Sequence, residues 1–409
     1  MDREEMALGI RSKVLITLEH ETEVSDEAVR RIIDKCVCEE TRGTYLSLKE
    51  KAGLKRYVFD SIRRLDIISP YLDDEDITEI MVNGPDNIFV ERGGFLERLD
   101  IRFLKPELLD NLIQQIVARV NRQVNEASPI VDARLEDGSR INIVLKPIAL
   151  DGPIITIRKF PRHRLTMNGL IKNETITREA AGFLKAMVEA RYNIFISGGT
   201  GSGKTTLLNC LSEFIDRKQR VITIEDSAEL QLQNIDNLVR LESRGGGSEN
   251  TPPVTIRELI KSALRMRPDR LIVGEVRGEE ALDMLQAMNT GHEGSLSSGH
   301  ANSAQDMMKR LETMVLTAVD IPLAAIRGQI ASALDIVVQV GRLRDGSRRI
   351  LSIEEVLPYT QGEIALKRLF EFEEEGESEG RVIGSLKATG ERLEFRQKLE
   401  RAGKRLDSL

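Results

Sequence analysis

Gly198-Gly199-Thr200-Gly201-Ser202-Gly203-Lys204-Thr205 is the stretch whose reading decides the fold. The apolar run from Asn193 to Ser197 before it predicts a strand, and Lys204 to Ile215 after it predicts a helix. Gly198-x-x-x-x-Gly203-Lys204-Thr205 is the Walker A pattern in its proper strand-to-helix context. Glycines let backbone N–H groups come close to phosphate oxygens and adopt positive φ. The helix N-terminus adds the positive end of its dipole. Lys204 has the reach for β- and γ-phosphates, and the Thr205 hydroxyl suits Mg²⁺. Thr206 completes the expected nucleotide-binding run. A turn that merely caps a helix would not need five residues of fixed type here.

Outward from this loop the chain alternates strand, loop and helix. Arg220 to Ile224 and Leu271 to Val273 predict strands, and Ala281 to Met288 predicts a helix. Thr255-x-x-Glu258 predicts a capping box opening the helix of Ile256, Leu259, Ile260, Ala263 and Leu264. Such alternation predicts an α/β domain with a largely parallel sheet under helices. Late strands are expected at Asp335–Val340 and Arg348–Glu355, around a turn at Asp345-Gly346. The acidic run from Glu371 to Gly380 is expected to be a solvated loop.

The N-terminal part reads differently. Val29, Ile32, Ile33, Cys36 and Val37 form a helical stripe behind an N-cap at Ser25. Leu54, Tyr57, Val58, Ile62 and Leu65 repeat it, so residues 1–68 predict a short helical bundle. Residues 69–160 predict a mixed α+β domain. Glu79 to Val82 and Ile88 to Val90 flank a hairpin turn at Asn83-Gly84-Pro85-Asp86-Asn87, and Phe95 to Ile101 adds a strand. A helix follows Pro106; further strands are expected at Arg140 to Leu145, after Asp137-Gly138, and at Ile154 to Phe160. Residues 161–175, opening with Pro161-Arg162-His163-Arg164, read as a linker, and 176–409 as the nucleotide domain with a C-terminal extension.

Composition narrows the function. Apolar residues make up 41% of the 409, enough for a sizeable core. A net charge of −7, 4% aromatics and no Trp disfavour a nucleic-acid partner, which would call for a basic surface or a stacking channel. Cys36, Cys38 and Cys210 are too few for a disulfide framework or a zinc site. The N-terminus, Met1-Asp2-Arg3-Glu4-Glu5, is charged, with no apolar run behind it, and no stretch has the length of a membrane span. A cytoplasmic protein docking peripherally on a membrane partner is expected.

An ATPase also needs acids to orient water and hold metal. Two predicted strands end in them: Ile224-Glu225-Asp226-Ser227-Ala228-Glu229 and Val273-Gly274-Glu275. Alone, acids at strand ends are often only solvated. In order behind a Walker A loop they are candidates. Two of four histidines, His292 and His300, fall in Thr290-Gly291-His292-Glu293-Gly294-Ser295-Leu296-Ser297-Ser298-Gly299-His300-Ala301-Asn302. Their spacing fits no zinc pattern. Phosphate sensing and structural hydrogen bonding both remain open for them.

Together and in this order, these four segments resemble the Walker A, Asp box, Walker B and His box of the secretion ATPase superfamily of type II and type IV secretion and pilus systems. Asp76 to Gly84, Arg265 to Gly278 and Thr290 to Asn302 are most similar to the CpaF-type motor of Tad (Flp) pilus assembly. The resemblance spans roughly residues 69 to 360. It implies a PAS-like domain before a RecA-like P-loop domain, a homohexamer with ATP bound between the domains, and an inner-membrane platform protein as partner. ATP and Mg²⁺ are the implied ligands. By motif match, Glu229 activates water with Glu225 and Asp226 in support. Glu275 assists at the metal through water, alongside Thr205. His300 senses the γ-phosphate and His292 stabilises that loop. Arg140 and Arg158 take the place of arginine fingers, a role that suits their planar charge. Many type II members carry a tetracysteine zinc module. This chain has only Cys210 beyond residue 175, which points to the Tad-like or conjugation-type branch.

The leading expectation is therefore a motor that turns ATP hydrolysis into pilus assembly or protein secretion. A nucleic-acid motor, a non-hydrolysing ATP switch and a small-molecule kinase are the competing classes. Stimulation by single-stranded DNA would favour the first of these.

Overall fold

A computed structural model describes residues 3–19, 25–42, 44–120, 122–160, 164–244 and 252–404. Met1 and Asp2 of the charged N-terminus, and residues 161–163 of the expected linker, lie outside the described residues. The chain divides into two units, residues 1–163 and 164–409.

The first unit opens with helices α1 (Arg3–Leu18), α2 (Asp26–Glu40) and α3 (Leu48–Arg63), followed by the short α4 (Ser69–Asp73). The Ser25 hydroxyl caps α2 by accepting from the Ala28 N–H, as the sequence predicts. Val29, Ile33, Cys36 and Val37 are buried against Val58 and Phe59 of α3 and Met6, Ile10 and Val14 of α1. Six antiparallel strands follow: β1 (Ile77–Asn83), β2 (Ile88–Arg92), β3 (Phe95–Arg98), β4 (Ile130–Arg134), β5 (Arg140–Val144) and β6 (Ile154–Arg158), in the order β3-β2-β1-β6-β5-β4. Helix α5 (Pro106–Arg119) lies between β3 and β4 in sequence. Strand alternation puts Ile80, Val82, Ile141, Ile143, Ile155 and Ile157 on one face, in a cluster with Leu109, Leu112, Ile113 and Ile116 of α5. Strand β4 was not foreseen; Ile130-Val131-Asp132-Ala133-Arg134 carries only a brief apolar signal.

Asp66, between α3 and α4, is buried at a φ of +50°. Burial pushes its carboxyl up to about 6, against the Ile67 N–H and the Arg11 charge, while Asp60 adds to the rise. The folded chain therefore holds a proton that the unfolded chain releases at its ordinary value near 4, so stability falls as pH rises from there to about 6. Asn tolerates left-handed backbone and keeps the acceptor for Ile67. Asp66→Asn is expected to stabilise the first unit by roughly 1–3 kcal/mol at pH 8 and by nothing at pH 4. Hydrogen exchange of peptides around residue 66 at the two pH values checks this.

In the second unit, Met167–Lys172 (α6) is a helix capped by Thr166, within the segment read as linker. The core alternates α7 (Arg178–Glu189), β7 (Ile194–Gly198), α8 (Lys204–Ser212), β8 (Arg220–Glu225), β9 (Asn237–Glu242), α9 (Ile256–Ala263), β10 (Arg270–Val273), α10 (Glu280–Asn289) and β11 (Leu296–Gly299). Then come α11 (Ala304–Ala318), α12 (Leu323–Ala333), β12 (Ile336–Arg342), β13 (Arg348–Val356), β14 (Leu366–Ser378), β15 (Arg381–Ala388) and α13 (Gln397–Arg401). The sheet order is β15-β14-β13-β12-β7-β11-β10-β8-β9. Strands β7 to β12 are parallel; β13 to β15 add on antiparallel. Helices α6, α7 and α8 share one apolar cluster with one face of the sheet, and α9 to α12 share another with the opposite face. The capping box at Thr255 and Glu258 forms as read.

The acidic run from Glu371 to Gly380 is no loop. Through Ser378 it belongs to β14, paired antiparallel to β15. Phe370 is buried, as are Val382 and Leu386 of β15. The glutamates find cations from neighbours: Lys387 pairs with Glu373 and Glu375, and Arg344 with Glu374 and Glu377. Charge in the run looked like a solvation signal because its counter-charges lie on other segments.

Candidate active site

Parallel strands in register finish at a common edge. Gly299 pairs with Ser197, Ser297 with Val273, and Val273 with Ile224. The ends of β7, β8, β10 and β11 therefore deliver the Gly198 loop, Glu225, Glu275 and His300 to one edge of the sheet. This is the edge where ligands bind in open α/β sheets.

The loop has the close fit its glycines require. A Cβ on Gly198 would sit 2.4 Å from the Val340 carbonyl oxygen and 2.6 Å from Ser202 Oγ. Gly203 is the N-cap of α8 at a φ of +100°, a conformation costly for any residue with a Cβ. Thr200 and Gly201 lie in the loop between Gly199 and Ser202, and Thr205 and Thr206 are half-buried in the first turn of α8. Lys204 is buried, and its Nζ donates to the carbonyls of Gly199 (2.9 Å) and Gly198 (3.2 Å).

Lys204 Nζ also stands 3.3 Å from His300 Nδ1, while His300 Nε2 is 2.9 Å from Glu275 Oε1. A protonated amine only donates, so Nδ1 accepts and the ring proton sits on Nε2, donated to Glu275. Burial, and next the Lys204 charge, hold the His300 pKa below its ordinary value, so the ring is neutral at pH 7. Glu275 in turn accepts from Arg277 Nε at 3.0 Å, and Arg277 reaches toward Asp226 at 3.5 Å. An unbroken polar chain thus joins the phosphate loop to both acidic strand ends.

Glu225 is buried, and burial raises its carboxyl. Its Oε2 accepts the backbone N–H groups of Glu229 (2.7 Å) and Leu230 (2.9 Å). Glu225 thereby anchors the loop that presents the half-buried Glu229. Asp226 is exposed and accepts from Ser243 Oγ at 2.6 Å.

Residues 63–366 match the family described as Type II/IV secretion system protein. The chain belongs to that family. It is 35% identical over 347 residues to the type IV secretion system protein VirB11 of Brucella suis, covering 78% of this chain and 96% of that one. The conjugal transfer protein TrbB of Rhizobium radiobacter is 31% identical over 332 residues, covering 80% and 98%. The crystal structure of the pilus retraction motor PilT with bound ADP is similar in fold, with a TM-score of 0.52 and 21% identity over 72% of this chain and 83% of that one. The protein is an ATPase of the secretion and conjugation type.

Two further placements bear on how this secretion ATPase works. His292 lies on the far side of β11 in sequence, before its first residue, where β7 also begins. Its Nδ1 meets the Ala287 carbonyl at 3.2 Å. Asn193, just before β7, accepts the Gly294 and Ser295 N–H groups with its side-chain oxygen. The chain fold thus separates His292 from His300 by a strand and does not bring it to the phosphate loop. In the first unit, Arg158 and Arg140 face each other across β6 and β5, and Arg134 of β4 continues the row. On the other side Arg158 pairs with Glu79 of β1, at 3.9 Å.

Sequence reading gave no role to Arg277, Arg134 or Arg348. Arg277 lies two residues after Glu275, and that spacing was the available signal. Arg134 became visible only with β4. Nothing in the local pattern marked Arg348. No helix among the described residues is long and apolar enough to cross a membrane.

Proposed function

We propose that the chain is the subunit of a homohexameric motor that couples ATP hydrolysis to pilus assembly or protein secretion through an inner-membrane platform protein. The reading is closest to the CpaF-type branch, with a helical bundle over 1–68, a PAS-like domain over 69–160 and a RecA-like domain over 176–409. The observation that carries it is the chain from Lys204 through His300 to Glu275, which makes one side-chain network of the phosphate loop and the strand-end acids.

In this mechanism Lys204 leaves the Gly198 and Gly199 carbonyls for the β- and γ-phosphates of ATP. His300 then loses its donor at Nδ1 and registers the γ-phosphate by that change. Glu229 takes a proton from the attacking water, held in place by its backbone bond to Glu225. Arg140 and Arg158 neutralise charge on the transferring phosphoryl group. The Thr205 hydroxyl and, through water, Glu275 are hard oxygen donors that suit Mg²⁺, which keeps waters and phosphate oxygens rather than a protein cage. When bound, the ion would supply charge neutralisation on the phosphates.

A membrane pull-down with the hydrolysis-blocked Glu229→Gln protein tests the assignment. A polytopic inner-membrane protein is expected in the captured fraction, and a hexamer-sized species with ATP in gel filtration. Recovery of DNA or RNA alone, or a monomer under every nucleotide condition, would refute it.

A further inference from the structure

The hairpin of β12 and β13 lies against the phosphate loop. Val340 of β12 is the register partner of Gly198, and across the hairpin Arg342 pairs with Arg348, the first residue of β13. Arg348 Nε donates to the Gly201 carbonyl at 2.8 Å. A Cβ on Gly203 would come within 3.6 Å of Arg348 Cδ, so the side chain also lies along the start of α8. Arg348 is exposed and forms no ion pair with an acid among the described residues. Its neighbour Arg349 pairs with Glu174, and Arg344 at the hairpin turn pairs with Glu374 and Glu377.

We propose that Arg348 is a positioning residue for nucleotide binding, fixing the Gly201–Ser202 peptide of the phosphate loop. Gly201 sits at a φ of +68° with no side chain, and is the residue best able to reorient. A trans peptide points its carbonyl and its N–H in opposite directions. Holding the Gly201 oxygen outward therefore turns the Ser202 N–H inward. There it makes only a long bond, 3.4 Å, to the Gly199 carbonyl. Such a weakly held donor passes readily to a phosphate oxygen. Without Arg348 the peptide samples other orientations, and nucleotide must pay to order it.

The hairpin is a firm base for this contact. The Asp345 carboxylate accepts from the Ser347 N–H and hydroxyl and from the Val382 N–H of β15. Arg344 adds its two glutamate contacts to β14. A side chain presented by a braced strand holds its geometry better than one on a free loop.

The inference rests on the loop's binding nucleotide, and its test separates the two. Full-length Arg348→Ala, Arg348→Gln and Lys204→Ala proteins are titrated with fluorescent ADP and ATP analogues, and KM and kcat for ATP are measured. Arg348→Ala is expected to raise both Kd and KM about tenfold, equivalent to about 1.4 kcal/mol. Its kcat at saturating ATP stays within about twofold, since the bond is made alike in the ground and transition states. Gln retains an N–H donor and is expected to recover part of the affinity. Wild-type Kd and KM in Arg348→Ala, or a loss confined to kcat, would overturn the proposal. If Arg348→Ala does not fold, Arg348→Met is compared with Arg348→Gln, and equal affinities overturn it. Retention of nucleotide by Lys204→Ala would instead overturn the reading of the loop itself.

Discussion

Lys204→Ala is expected to reduce kcat/KM for ATP at least a thousandfold, about 4 kcal/mol of transition-state stabilisation. The lysine is the cation built into the phosphate loop, and phosphoryl transfer depends almost wholly on positioning and charge. Its Nζ already lies among the Gly198 and Gly199 carbonyls and His300, so little reorganisation is needed to meet a phosphate. Removing it also takes the donor from His300 Nδ1 and so cuts the link between the loop and Glu275. The loss should therefore exceed that of one hydrogen bond. Single-turnover hydrolysis beside equilibrium nucleotide binding checks this. Hydrolysis within tenfold of wild type would mean that the loop is not the catalytic phosphate site. Lys204→Arg keeps the charge but brings a planar fork that the close loop cannot hold, and it is expected to rescue binding more than turnover.

The loop was legible because its requirements are local. Gly198 must admit the Val340 carbonyl, Gly203 must take a positive φ, and the lysine must follow. Such demands leave fixed residue types at fixed spacing. The alternation of strand and helix around it was legible for the same reason, as was the Ser25 cap. What escaped depends on partners distant in sequence. The Lys204–His300 contact joins residues 96 positions apart. Arg348 reaches Gly201 across 147 positions; the strands and turn of its hairpin were legible, but that contact was not. The strand nature of Glu373 to Ser378 depends on Lys387 and Arg344, which no window around the run contains. The two histidines show the converse error. Their nearness in sequence suggested one site, yet β11 runs between them and carries them to opposite ends of the strand. Alternation in a strand sets which face a residue occupies, but strand direction sets which end. Only the parallel pairing of β11 with β7 and β10 reveals that His300 is at the phosphate end.

Glu229→Gln is expected to lower kcat by a hundredfold or more while leaving ATP affinity within a fewfold of wild type. Three acids lie at or just beyond the end of β8, and we propose different tasks for them. Glu225 is buried, raised in pKa by that burial, and committed to the Glu229 and Leu230 N–H groups. Its Oε2 is taken by two backbone N–H groups, its Oε1 is buried without a hydrogen-bond partner among the described residues, and burial disfavours its charged form, so Glu225 is expected to serve as a strut. Asp226 is exposed and turned toward Ser243 and Arg277. Glu229 is half-buried and its backbone is pinned by Glu225, and its carboxylate is the one we propose to meet water. Gln matches Glu in shape and cannot accept the proton, so the substitution separates proton transfer from positioning. Glu225→Gln keeps one acceptor for the two N–H groups and should lose less of kcat than Glu229→Gln. If the order is reversed, Glu225 is the base, and its raised pKa would belong to catalysis rather than to packing. If both variants leave the basal rate unchanged, no carboxylate there drives turnover, and the chain works as a nucleotide-gated switch. Measuring ATP hydrolysis and ADP release for both variants decides among the three.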